Sequence, residues 1–117
     1  MRTSFLLAGA VGALLLACGG SAPPPSDRLA SAEAASRSAR ELGAEKEPKA
    51  AYHLQLADEQ VAQAKKLMAD GDNKRADMIL QRAGADAELA VMMAKEATAR
   101  VEAEKSQARL KNVKEGK

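Results

Sequence analysis

Cys18 and His53 are the only cysteine and the only histidine in this chain, so nucleophilic, acid–base and metal chemistry can draw on very few groups. A zinc site needs three or four ligands, and a helical one typically offers a second histidine one turn away. His53 has no such companion and reads as an exposed helix residue. A catalytic nucleophile needs a base within hydrogen-bond reach and a third group to orient that base, and the scattered serines fall on polar faces. Asp70-Gly71-Asp72-Asn73 gathers carboxylates around a glycine, but an EF-hand places its glycine at the sixth position and closes with a glutamate. This sequence does neither, so the stretch reads as a turn with helix caps. Met78, Met92 and Met93 could line an apolar groove, yet their helical spacing assigns them to core and rim. The expectation is a protein with no catalytic residue, no cofactor and no metal, and not an enzyme.

The remaining reactive group has a distinctive setting. Arg2 is followed by an uncharged apolar run over residues 5–16, and small residues then surround Cys18. This is the order of a secretory signal: charge, apolar segment, small-residue cleavage point. The uncharged run is about 15 residues, short of the roughly 20 that a spanning helix requires. As the lone cysteine, Cys18 cannot form an intrachain disulfide. Leu15-Leu16-Ala17-Cys18 resembles the bacterial lipobox, which implies cleavage before Cys18 and a lipid on its sulfur. One acyl chain holds a protein only marginally; the resemblance implies a diacylglyceryl group and usually a further acyl group on the new N-terminus. Gly19 follows the cysteine where inner-membrane lipoproteins carry aspartate in enterobacterial sorting. The resemblance therefore implies the outer membrane, facing the periplasm.

The positioning elements follow from composition. Acidic and basic residues nearly balance, 16 against 18, which argues against nucleic acid as a partner. The apolar fraction is 46%, but alanine dominates it and each alanine buries little area. Tyr52 is the only aromatic residue beyond Cys18, so the large apolar walls of a deep ligand pocket are missing. Alanine with Leu, Glu, Lys, Arg, Gln and Met favours helix throughout. The organisation expected is a signal segment over residues 1–17, a lipidated cysteine and tether over 18–26, and an alanine-rich helical domain over 27–117.

Residues 19–26 read Gly-Gly-Ser-Ala-Pro-Pro-Pro-Ser, an extended spacer of roughly 25 Å at about 3.1 Å per residue. A first helix is expected over 27–44, capped by Ser26 or Asp27, with Leu29, Ala32, Ala35, Ala39 and Leu42 on one face. Gly43 and Pro48 interrupt it, and Glu47, just before the proline, is the expected break. A second helix over 48–70 carries Ala50, Leu54, Ala57, Val61, Ala64 and Met68 at alternating steps of four and three, a heptad seam; Lys65 falls on its solvated face. Gly71 suits the left-handed residue that ends a helix, and Asp72 or Asn73 caps the next. The third helix has its seam at Ala76, Leu80, Ala83, Ala87, Ala90, Ala94, Ala97 and Val101 and continues to about Val113. Glu96 with Arg100 and Glu102 with Lys105 support it along one face.

A turn of about two residues makes helices 2 and 3 antiparallel neighbours. The register sets Met68 opposite Ala76, Ala64 opposite Leu80, Val61 opposite Ala83, Ala57 opposite Ala87 and Leu54 opposite Ala90. The fold class expected is all-α: this hairpin, a shorter N-terminal helix folded back to cover Leu67, Ile79, Val91 and Met93 as a small three-helix bundle, and a projecting C-terminal helix. The alternative is a kink at Pro48 that leaves helices 1 and 2 as one long arm.

The runs Ala51-Tyr52-His53-Leu54-Gln55-Leu56-Ala57, Ala64-Lys65-Lys66-Leu67-Met68-Ala69-Asp70-Gly71-Asp72 and Ala83-Gly84-Ala85-Asp86-Ala87-Glu88-Leu89-Ala90 resemble a bacterial lipoprotein family called domain of unknown function 4398. The resemblance implies a lipobox, a spacer and an alanine-rich helical domain. The function expected is a lipid-anchored cell-envelope protein of structural or adaptor type; the alternative is a small helical module that binds a lipid or other apolar ligand. The expected partners are the membrane, through lipid on Cys18, and an envelope protein or peptidoglycan. Lys117 is the candidate wall contact. It follows Glu115-Gly116, and the layout of lipidated cysteine, heptad helix and terminal lysine resembles the murein lipoprotein.

Overall fold

The structure, a computed structural model, describes residues 21–116. Leu15, Leu16, Ala17, Cys18 and Lys117 lie outside the described residues. Three helices account for nearly all of the rest: α1 (Ser26–Glu41), α2 (Pro48–Ala69) and α3 (Asn73–Lys114), with a single 3-10 turn, Ala44–Lys46, between α1 and α2. The molecule is an α2–α3 hairpin with α1 folded back onto it, so the bundle is formed and the single long arm is not.

Helix ends fall where backbone chemistry puts them. Gly43 and Gly71 adopt φ of 82° and 79°, a region that costs a residue with a Cβ about 1–2 kcal/mol. At Gly71 the end of α2 closes doubly. The Gly71 amide donates to the Met68 carbonyl at 3.1 Å and the Asp72 amide to the Leu67 carbonyl at 2.8 Å, satisfying two carbonyls that would otherwise face no donor. Asp72 then caps α3, its Oδ1 accepting from the Arg75 amide at 3.3 Å. Glu47 is extended, and Pro48 sits in the first turn of α2, where its missing N–H costs nothing. The start of α1 differs from the expected capping: Pro25 precedes the helix and neither Ser26 nor Asp27 caps it through a side chain. The Pro25 carbonyl already accepts from the Leu29 amide, so the helix begins one residue early, with Asp27 in its first turn favoured by the dipole. It also ends earlier than expected, at Glu41, because Gly43 turns the backbone.

The α2 seam is buried from Ala50 through Leu54, Ala57, Val61 and Ala64, and the α3 seam from Ala76 to Ala94. Two clusters result. One joins Ala32, Val61, Ala64, Ala76, Leu80 and Ala83; the other joins Ala39, Ala44, Ala50, Leu54, Ala90 and Ala94. Leu80 is the only large side chain buried to below 2% among the described residues, so stability depends on close approach of alanine-faced backbones more than on bulky side chains. Two parts of the expected faces are corrected. On α1 the buried row is Ala32, Ser36 and Ala39, with Ala35 only half-buried and Leu42 37% exposed. Steps of four and three from Ala32 reach Ser36 and Ala39, and serine is small enough to fit there. On α3 the seam stops at Ala94: Ala97 is half-buried and Val101 is 47% exposed. Pro48 begins α2 too late to cover them.

Candidate functional site

Three features could carry function: the entry of the tether, a polar bridge between α2 and α3, and the bare end of α3. Each is set by where the helices start.

Asn73, the first residue of α3, is almost fully buried, and its Nδ2 donates to the Ala22 carbonyl at 2.7 Å. The segment that leads into α1 is therefore held at the α2–α3 turn. α1 then runs alongside α3 in the same direction, fastened near its start by Arg28 and Asp77 at 2.6 Å. Toward α2 it is fastened by Glu33 to Lys65 at 2.6 Å and by Arg40 to Asp58. Lys65 is thus an ion-pair partner and not simply a solvated residue: the fold-back of α1 brings Glu33 to it.

At the other end, every residue from Thr98 to Gly116 is exposed. The helical part of this overhang, 98–114, is roughly 25 Å long at 1.5 Å per residue. Lys105 pairs with Glu102 at 3.2 Å as expected. Arg100 instead lies 3.9 Å from Glu47, because the turn before α2 brings that carboxylate closer than Glu96. Lys105, Arg109, Lys111 and Lys114 against Glu115 make the tip basic.

His53 is not the exposed residue expected. Its side chain is 23% exposed, and its Nδ1 sits 2.9 Å from Asp86 Oδ1. Gln60 donates from Nε2 to the other oxygen, Asp86 Oδ2, also at 2.9 Å. One carboxylate on α3 thus takes up two side chains placed two turns apart on α2, on either side of Ala57. The Tyr52 ring meets the imidazole edge-on, 5.3 Å between centroids. Asp86 has no local signal; it becomes visible only when α2 and α3 are laid in register. The arrangement fastens two helices. Neither a hydroxyl nor a thiol is among the hydrogen-bond partners of this imidazole, and among the described residues no cluster of three metal-ligating side chains occurs.

The methionines do not converge. Met78 and Met92 are exposed on the outer face of α3, while Met93 packs on the second core cluster. The Asp70–Asn73 stretch is the turn and cap already described. Among the described residues no helix is long and apolar enough to cross a membrane.

No curated protein and no solved structure matches the chain. A family model does match, over residues 27–110, which take in all of α2 and most of α1 and α3. The chain belongs to the family described as Domain of unknown function (DUF4398).

Proposed function

We propose that this protein is a lipid-anchored bacterial cell-envelope protein of structural or adaptor type, without catalytic activity, held at the outer membrane on its periplasmic side. Lipid on Cys18, within Leu15-Leu16-Ala17-Cys18, is the anchor. The observation that carries the reading is the polarity of the bundle. Asn73 holds Ala22 at one end, four residues from Cys18, and the uncovered basic stretch of α3 leaves from the other. Such a body keeps its anchor at one end and offers a helix surface at the other, to an envelope protein or to peptidoglycan, with Lys117 as the candidate wall contact.

Envelope fractionation with photo-crosslinkers placed along 98–114 tests this. The protein is expected in the outer-membrane fraction, with adducts to an envelope protein or the sacculus formed from the arm. Deleting Lys117 tests whether wall attachment uses that amine. A protein found only in the soluble fraction, or purified protein that turns over a substrate, contradicts the reading.

A further inference from the structure

α1 packs chiefly against α3 and meets α2 along a narrower contact. Between α1 and α2 a cleft of about 320 Å³ remains. On α1 its wall is Glu33, Ser36, Arg37 and Arg40, which share one helical face. On α2 it is Asp58, Val61 and Lys65, again one face. Two ion pairs cross the cleft as rungs: Glu33 with Lys65 at 2.6 Å, and Arg40 with Asp58. The rungs are two turns apart on each helix, about 10 Å at 1.5 Å per residue. Ser36 and Val61, 3% and 8% exposed, lie between them as the floor.

Two features are left over once the rungs are closed. The Ser36 hydroxyl is buried and meets no hydrogen-bond partner. The other buried residues of α1, Ala32 and Ala39, carry no polar side chain, so packing alone asks for no hydroxyl at this position. A buried polar atom without a partner is unfavourable and calls for a ligand or water that the chain does not supply. Arg37 is the second feature. It lines the same cleft, and no carboxylate among the described residues lies within salt-bridge distance of it. Glu33, one turn before it, is taken by Lys65.

We propose that this cleft binds a small carboxylate-bearing molecule, its carboxylate held by the Arg37 guanidinium and the Ser36 hydroxyl. Guanidinium and carboxylate match as planar groups joined by two parallel bonds, and one unpaired cation suits one negative charge. A phosphate monoester carries close to two charges at neutral pH, and the second would lie beside Glu33 and Asp58. Those two side chains instead suit N–H or O–H donors next to the ligand's own carboxylate, as in an acylated amino acid. The lining is mainly polar, which does not suit an acyl chain, and the volume is at the small end of ligand sites. The side chains of Lys65 and Arg40 are 55% and 41% exposed, so each can swing toward solvent and uncover the floor. The cleft shares no residue with the bare arm of α3, and this binding stands independently of lipidation and of any contact made by the arm.

The test uses the full chain, isotope-labelled, in mild detergent, with backbone amide chemical shifts as the readout. N-acetylglycine is expected to give saturable shifts over residues 33–40 and 58–65, and the neutral N-acetylglycinamide none. No saturable shift in these stretches, or an equal response to the neutral compound, overturns the proposal. Inorganic phosphate binding more tightly than N-acetylglycine overturns the choice of a carboxylate. Arg37→Gln is expected to weaken N-acetylglycine binding about tenfold with helicity unchanged. Ser36→Ala separates ligand binding from folding, because alanine suits the row formed by Ala32 and Ala39. It is expected to fold at least as stably as the native chain and to bind more weakly by a similar factor. Native affinity in either variant overturns the assigned contacts.

Discussion

Asn73 donates its side-chain amide to the carbonyl of Ala22 at 2.7 Å, a contact between residues 51 positions apart. It joins the spacer to the first turn of α3 and so fixes which end of the bundle faces the tether. Asn73→Ala removes the donor and leaves the carbonyl unpaired at that contact. The expected cost is about 1 kcal/mol, accompanied by faster proteolysis between residues 21 and 25. Unchanged proteolysis of that stretch would mean that the contact does not hold the tether.

The alanine seam is tested by burying a charge. Ala87→Glu places a carboxylate where the structure leaves no exposed surface, and an unpaired buried charge costs several kcal/mol. Exposed Lys66→Glu is expected to stay within about 0.5 kcal/mol. Chemical denaturation distinguishes the two, and equal midpoints would contradict the α2–α3 register.

Much of the hairpin was legible in the sequence because its two seams keep strict steps of four and three, and Gly71 between them supplies the left-handed residue that ends α2. α1 was read less well. Its alanines lie on several faces, so apolarity alone did not distinguish the row through Ala35 from the row through Ser36. Asp86 was missed for a different reason: its partners are 26 and 33 residues away, and charge on a helix surface has no periodicity to reveal them. The α3 seam was read as running to Val101, but burial stops at Ala94, because cover depends on where α2 begins and no residue of α3 records that.

Asp86 holds both His53 and Gln60, so removing it orphans two donors at once. Asp86→Ala is expected to cost about 1–3 kcal/mol, more than Gln60→Ala alone. A double-mutant cycle of the carboxylate with each partner measures the coupling. Full additivity in both cycles would show that the bridge contributes nothing.

Lys65→Glu sets a carboxylate against Glu33. Both groups are partly exposed, with 55% and 35% of the side-chain surface accessible, so the loss is expected to be under about 1 kcal/mol. Adding Glu33→Lys restores the attraction. If the double exchange is no more stable than Lys65→Glu alone, α1 does not pack against α2 as described.

Mass spectrometry of the N-terminal peptide from membrane-extracted protein checks the proposed lipid on Cys18. The expected peptide begins at Cys18 and carries a diacylglyceryl group on sulfur, absent from a Cys18→Ala variant that keeps its uncleaved leader. A mature peptide that begins elsewhere, or an unmodified Cys18 in membrane-bound protein, would contradict it.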